Sequence, residues 1–427
     1  MKRPAKWALL LVFVLVAAAC GGAAESTGST DTTAATDTTA ATDTTAATTE
    51  STAETAAAAP VELPTVKIGS VNSLTGPFPF PEASAAAAAV FDRYNDDPAR
   101  AFDIEYIIED DAADPAIATQ AARKIVSQDG VVLVAGGASL LDCIVDGAYY
   151  AENGVYSIPG TGVDEGCFAS RNIAPVNTGP WLGLVVSLYF TSEILGHDKI
   201  CYVQFDTGSG AEARAAAVAR WEAITGKTLA SLDLYPPGDD LTPYVVKAMD
   251  TGCTAVFEGG LDFTAIAWDQ AVATQGATFD SVHFTSAYTS GVAEAIPNPA
   301  TPTYANSEFE PFTEVDSPAL ADWRGLMESA DVPLTSFAEG GYLAGLIAID
   351  VIESAGITAD DDTATQRSKI EQALLTMKPF EHPMLGVPFV FGDAEKHNPN
   401  YASKFVQLVD GEWVTVTDEF VVLPDES

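Results

Sequence analysis

The chain has 427 residues, with 60 acidic side chains against 20 basic ones and a formal charge of -40. A surface that acidic repels phosphate backbones and anionic lipid, which excludes nucleic-acid partners as a class. At 47 % hydrophobic residues it can build a sizeable core, and its length calls for more than one lobe.

The chain begins with Lys2, Arg3 and Lys6, an apolar run from Trp7 to Val16, and then Ala17-Ala18-Ala19. A charged, an apolar and a small-residue region in that order read as a secretory signal. The run is too short to span a bilayer, which takes roughly 20 apolar residues. Cys20 follows, with Gly21 and Gly22 behind it. The segment resembles a bacterial lipoprotein signal, although Ala17 stands where that box usually has leucine. The resemblance implies a signal peptide over 1–19, a lipid on Cys20, and an exported chain anchored to the outer face of the cell membrane. The plainer alternative is an ordinary secretory signal with an incidental cysteine. From Gly21 to about Pro60 the sequence falls to Ala, Thr, Ser, Asp and Glu, with TDTTAA repeated from Thr30. Such a stretch has nothing to bury and cannot offset its ordering entropy, so residues 20–64 are expected to form a tether. Its root-mean-square reach is roughly 35 Å.

The folded part alternates strand and helix. Strands are predicted at Val66–Val71, Ile104–Ile108, Val131–Ala135 and Val155–Ile158. Helices fall between them at Glu82–Tyr94 and from Pro115 to about Ser127, the second started by Asp114 as cap and Pro115 in its first turn. A helix near Trp181–Leu195 opens a second series. Its strands are Lys199–Phe205, Leu229–Leu234, Thr254–Glu258 and Val282–Thr285, and its helices Ala211–Thr225, Leu241–Met249 and Phe263–Gln275. Two series of strand-helix units mean two parallel sheets with helices on their faces. After Pro297 comes a stretch rich in Pro and Asn, followed by helices at Ala319–Ser329, Phe337–Ala355 and Ala364–Met377. Pro388–Phe391, Lys404–Val409 and Trp413–Val416 alternate like strands.

Several of these stretches resemble one family. VKIGSVNSLTGPFPFPEASAAAAAVFDRYN is similar to the first strand, loop and helix of leucine/isoleucine/valine-binding proteins. IEYIIEDDAADPAIATQAARKIVSQDGVVLVAGG resembles their second strand, paired-Asp turn, helix and third strand. GVYSIPGTG resembles the fourth strand and its loop, and GVPFVFGDAEKHNPNYASKFVQLVDGEW the closing turn and strand pair. From Asn177 to about Ala287 the likeness is mainly one of element order. These are type I periplasmic binding proteins, so the resemblance implies a two-lobed α/β fold, each lobe a mainly parallel sheet flanked by helices. It implies three hinge crossings, with lobe one at 65–178 and 316–385 and lobe two at 179–314 and 387–427. That layout also suggests pairing Cys143 with Cys167, and Cys201 with Cys253, which suits an even cysteine count in an oxidising compartment.

Ligands in open α/β sheets bind beyond the carboxyl ends of the strands. On lobe one the resemblance points to Phe80 as an aromatic wall, to Ser139 and Leu140 after the third strand, and to Thr161 and Gly162 after the fourth. Asp142 would repel a carboxylate if it faced inward, and N-capping is its bland role. On lobe two it points to Thr207, Ser209, Asp262, Phe263 and Tyr288, and from the late helix to Phe337 and Glu339. Amino-acid binders of the family hold the ligand ammonium with an acidic residue where this chain has Ala287-Tyr288. Either Asp262, Glu258 or Glu339 replaces it, or the ligand is not an α-amino acid.

The four histidines, His197, His283, His382 and His397, are scattered and read as surface or loop residues. No nucleophile elbow, phosphate-cradling loop or zinc spacing occurs. The expectation is a monomeric substrate-binding protein without cofactor or metal, serving the permease of an ABC importer and capturing a branched-chain amino acid, amide or related compound. The alternatives are a ligand-sensing ectodomain and an exported enzyme.

Overall fold

A computed structural model describes residues 63–77, 79–206 and 210–425 of the protein. The leader, Cys20 and nearly all of the tether lie outside the described residues, as do Thr207 and Ser209. Among the described residues no helix is long and apolar enough to cross a membrane.

The first half follows the alternation closely. β1 (Thr65–Asn72) leads to α1 (Pro81–Asp96), β2 (Asp103–Asp110), α2 (Pro115–Arg123) and β3 (Leu133–Ala135). The short β4 (Ala138–Ser139), α3 (Asp142–Glu152), β5 (Tyr156–Ile158), β6 (Thr161–Gly162) and α4 (Glu165–Ala169) complete it. Asp114 caps α2 as expected, accepting from the N–H groups of Ala116 and Ile117 at 2.8 and 3.2 Å. β2, β1, β3 and β5 form one parallel sheet in that order, and β4 pairs with β6 beside it. The apolar side chains of β1 and β3 are buried, as a sheet covered on both faces requires.

The second half is built the same way. It runs α5 (Gly179–Tyr189), β7 (Ile200–Phe205), α6 (Ala211–Thr225), β8 (Ser231–Tyr235), α7 (Thr242–Thr251), β9 (Ala255–Gly259) and α8 (Asp262–Gln275). β10 (Asp280–His283), α9 (Ser290–Ala295) and β11 (Thr303–Ser307) follow. Then come α10 (Ala321–Ser329), α11 (Ser336–Ala355) and α12 (Thr363–Leu375). β12 (Ala402–Val409), β13 (Glu412–Thr415) and β14 (Val421–Val422) end the chain. β8, β7, β9, β10 and β11 are parallel, and β12 and β13 extend that sheet antiparallel. α11 returns to the first sheet, packing on α1 and β3, before β12 rejoins the second. The result is the expected α/β fold of two lobes with helix-flanked, mainly parallel sheets.

Several elements differ from the sequence reading, the short β4, β6, β14, α4 and α9 among them. β11 lies within the stretch after Pro297, where no strand was expected. Pro388–Phe391 is not a strand: only Phe389 pairs, with Phe380 across an isolated bridge. Pro388 has no N–H to give, and the neighbouring residues find no partner strand.

Both disulfides are those expected. Cys143 in α3 joins Cys167 in α4 with Cα atoms 4.9 Å apart, and Cys201 in β7 joins Cys253 ahead of β9 at 5.9 Å. The histidines are not all peripheral. His283 is fully buried in β10, and His397 is buried against Phe391 and donates to the Arg171 carbonyl at 3.0 Å.

α11 sets the register of lobe one. Its Gly340 and Gly341 lie so close to their neighbours that a Cβ would sit 2.3 Å from the Gly160 carbonyl oxygen and 1.9 Å from that of Ala83. Backbone meets backbone there, against the alanine face of α1.

Candidate functional site

The carboxyl ends of β1, β3 and β5 in lobe one and of β7, β9 and β10 in lobe two face a shared cavity of about 580 Å³. Phe80, Leu140, Thr161, Gly162 and Phe337 line it from lobe one. Trp181, Gln204, Phe205, Arg214 and Phe284 line it from lobe two, and Asn177 and Glu308 lie where the chain passes between the sheets.

The lobe-one wall is held by internal hydrogen bonds. Asp110 of the paired-Asp turn accepts from the Leu74 and Thr75 N–H groups at 3.0 and 3.2 Å and from Ala112 N–H at 2.9 Å. Those bonds fix the loop that carries Phe80. Desolvation raises the Asp110 pKa, but the Thr75 hydroxyl and the backbone N–H groups together outweigh it and hold the carboxyl below its usual value. Phe80 stacks on Phe337 with centroids 4.9 Å apart. Phe337 is thus a cavity residue, placed by Thr335, whose hydroxyl caps α11 by accepting from Ala338 N–H at 3.2 Å.

Ser139 does not reach the cavity. Its hydroxyl donates to Asp111 and accepts from the N–H groups of Leu141 and Asp142 at 3.0 and 2.9 Å, so it is spent on capping α3. Asp142 is neither cap nor ligand group: it is buried and accepts the Tyr150 hydroxyl at 2.6 Å. Burial raises its pKa well above the usual range.

Four further expected residues stand apart from the lining. Tyr288 is a core residue, stacked on Phe312 at 4.2 Å with its hydroxyl bonded to Thr313 at 2.7 Å. The turn Thr285–Ala287 sends it inward, away from the strand end. Asp262 and Phe263 are exposed in the first turn of α8, where Asp262 accepts from Phe263 N–H at 2.7 Å. Glu339 is fully buried, its carboxylate without a hydrogen-bond partner among the described residues. Burial and the nearby Glu310 raise its pKa well above the usual value.

The hydrogen bonds that tie the passage between lobes were not anticipated from the sequence. Asn177 accepts from Gly162 N–H at 2.7 Å and donates to Glu308 at 3.1 Å, and Gly179 N–H donates to Glu308 at 2.7 Å. One buried carboxylate therefore ties two chain passages together. Burial pushes its pKa up to about 7, against the opposite pull of those hydrogen bonds.

Beneath the lobe-two wall, Glu258 accepts from the Tyr235 hydroxyl and, at 3.1 Å, from Thr264. His283 lies between Glu258 at 2.9 Å and Asp269 at 3.4 Å. Burial lowers the His283 pKa, but the two carboxylates outweigh it and hold it at about 10, so the imidazole is charged. This buried trio underlies Gly259-Gly260, which form part of the cavity floor. Asp164, another lining residue, accepts from Cys167 N–H at 3.3 Å, and burial raises its pKa to about 6. Among the described residues the one group of metal-ligand type is Cys143, Asp164 and Cys167, whose sulfurs are bonded to each other.

A family model described as periplasmic binding protein matches residues 65–412. Solved structures share the fold. A leucine-binding protein, LivK, of Thermotoga maritima is 14 % identical with a TM-score of 0.68, covering 85 % of this chain and 100 % of its own. The branched-chain amino acid transporter substrate-binding protein LivJ of Streptococcus pneumoniae, solved with isoleucine, is 17 % identical with a TM-score of 0.66 and coverages of 84 % and 99 %. An extracellular ligand-binding receptor of Rhodopseudomonas palustris is 16 % identical with a TM-score of 0.66 and coverages of 83 % and 100 %. No curated protein matches the chain. The match over the folded part, together with two lobes meeting at a cavity beyond their strand ends, makes this chain a member of the periplasmic binding protein family.

Proposed function

We propose that the protein is the extracytoplasmic substrate-binding component of an ABC importer, capturing a small solute between its lobes. The observation that carries this reading is the cavity of about 580 Å³, bounded by strand ends of both sheets and joined by the Asn177–Glu308 passage. A volume of that size suits a molecule of amino-acid dimensions. The lobes are 65–178 with 316–385 and 179–314 with 387–427, and closure is a hinge motion at the crossings between them. Cys20 carries the lipid that retains the chain at the outer face of the membrane, and the tether lets a monomer both meet solute and dock on its permease.

The test is a thermal-shift screen of the folded part with amino acids, amides, urea and small organic acids, followed by small-angle scattering with each ligand found. A stabilising ligand recovered unchanged, with a smaller radius of gyration in its presence, is the expected result. A ligand consumed during the assay would point to an enzyme, and no shift with any compound would defeat the reading. The anchor is tested separately: Cys20→Ala should release the protein from the membrane fraction.

A further inference from the structure

Several polar groups around the cavity are engaged within the protein, whereas Trp181, Thr285 and Asn306 keep buried polar atoms without a hydrogen-bond partner among the described residues. Gln204 accepts the Tyr202 hydroxyl and donates to the Phe205 carbonyl at 2.9 Å. Ser286 donates to the Gly260 carbonyl at 2.7 Å, and Glu308 is held by Asn177 and Gly179. Ser139, to which the family resemblance pointed, is engaged by Asp111 and the start of α3.

Arg214 is different. It lies in the first turn of α6, lines the cavity and is only 8 % exposed. Among the described residues its guanidinium has no hydrogen bond and no ion pair, and it is the one Lys, Arg or His in the lining. Arginine cannot shed its charge by losing a proton, so a desolvated, unpaired guanidinium calls for an anion from outside the chain. Its planar fork matches a carboxylate with two parallel hydrogen bonds. The start of α6 adds positive potential on the same side. One turn earlier, Gly210 has φ +73, and a Cβ there would meet the Trp181 ring at 2.3 Å, so the indole rests on the backbone at the helix start.

We propose that Arg214 binds the anionic group of the solute, and that the solute is a carboxylate whose apolar body lies between the Phe80–Phe337 pair and the Trp181 and Phe205 side. The inference rests on the solute-capture reading and adds the ligand's charge and its polarity in the cleft: head toward lobe two, body toward lobe one.

The experiment is calorimetric titration of the wild type, Arg214→Met and Arg214→Lys with hydrocinnamate, isocaproate, leucine and phenylalanine, and with the neutral amides hydrocinnamamide and isocaproamide. At least one carboxylate should bind the wild type, and its amide at least tenfold more weakly. Arg214→Met should lose at least a hundredfold in carboxylate affinity and bind acid and amide alike, while Arg214→Lys keeps part of the preference. Because it removes an unpaired buried charge, Arg214→Met should also melt higher than the wild type without ligand. Amides binding as well as acids, unchanged affinity in Arg214→Met, or a lower ligand-free melting temperature would each overturn the assignment. Amide binding by the wild type without acid preference would leave solute capture standing and remove only the anion. A wild type that binds nothing in the set, charged or neutral, would remove both.

Discussion

The two walls of the cavity satisfy their polar groups differently. On lobe one, Asp110, Asp111, Ser139 and Asn177 spend their hydrogen bonds on loops and helix starts, leaving aromatic and aliphatic surface toward the solute. On lobe two, a buried network of Glu258, His283 and Asp269 supports the floor while Arg214 above it stays unengaged. The difference teaches that, here, one wall supplies shape and the other chemistry. A serine at a position to which a family resemblance points is not by itself a ligand group; what it has already bonded decides.

The largest effect should come from breaking the backbone contact behind the lobe-one wall. Gly341→Val puts side-chain atoms where a Cβ alone would be 1.9 Å from the Ala83 carbonyl oxygen. The helices must separate, at a cost of at least about 3 kcal/mol, and the variant should accumulate as insoluble protein or unfold cooperatively at far lower denaturant. On lobe two, His283→Ala leaves Glu258 and Asp269 buried without their cation. Loss of one partner from such a buried set costs about 3–5 kcal/mol, to be read from urea titration. The wild type carries a matching pH signature. The folded His283 pKa of about 10 exceeds the ordinary histidine value of 6.5, so its contribution is complete below pH 6.5 and disappears as pH rises through 10.

Ser139→Ala separates the walls most cleanly. It removes the α3 cap and the partner of Asp111, so stability should fall by about 1–2 kcal/mol while solute affinity changes less than threefold. A large loss of affinity at unchanged stability would return Ser139 to the ligand and undo the contrast. The remaining effect is one of pH and concerns Glu308. Its folded pKa of about 7 lies above the ordinary glutamate value of 4.5, so the folded state holds the extra proton and stability declines as pH rises between those values. Glu308→Gln should flatten that decline, measured as melting temperature against pH.

The alternation of strand and helix was legible because local patterns and tertiary structure agree: Asp114-Pro115 starts a helix, and VVLVA makes a strand buried on both faces. β11 was not, because Thr303–Ser307 sits among prolines and asparagines and becomes a strand through β10 and β12 on either side. At the site, Phe80, Leu140, Thr161, Gly162 and Phe337 reach the cavity from positions that the family resemblance supplied. Tyr288 occupied an equally suggestive position, yet the turn before it directs the ring into the core against Phe312 and Trp413. Arg214 left no signal. In AEARAAAVAR it looks like one charge on a solvated helix, and only the placement of α6 against the second sheet brings it under cover. Glu308 and Asn177, far apart in sequence, had no pattern to join them.

The glycine contact between α11 and α1 carries a consequence for how this pocket can diversify. Where Gly341 meets Ala83 no α11 side chain lies between the helices, so at that point there is no spacer whose trimming or growth could slide α11 along α1. The anchor point of Phe337 is therefore fixed, and with it the spacing of the aromatic pair. A descendant with a new solute must exchange side chains at the wall, or remodel the loops of the opposite lobe, because the scaffold behind Phe337 offers selection no gradual adjustment.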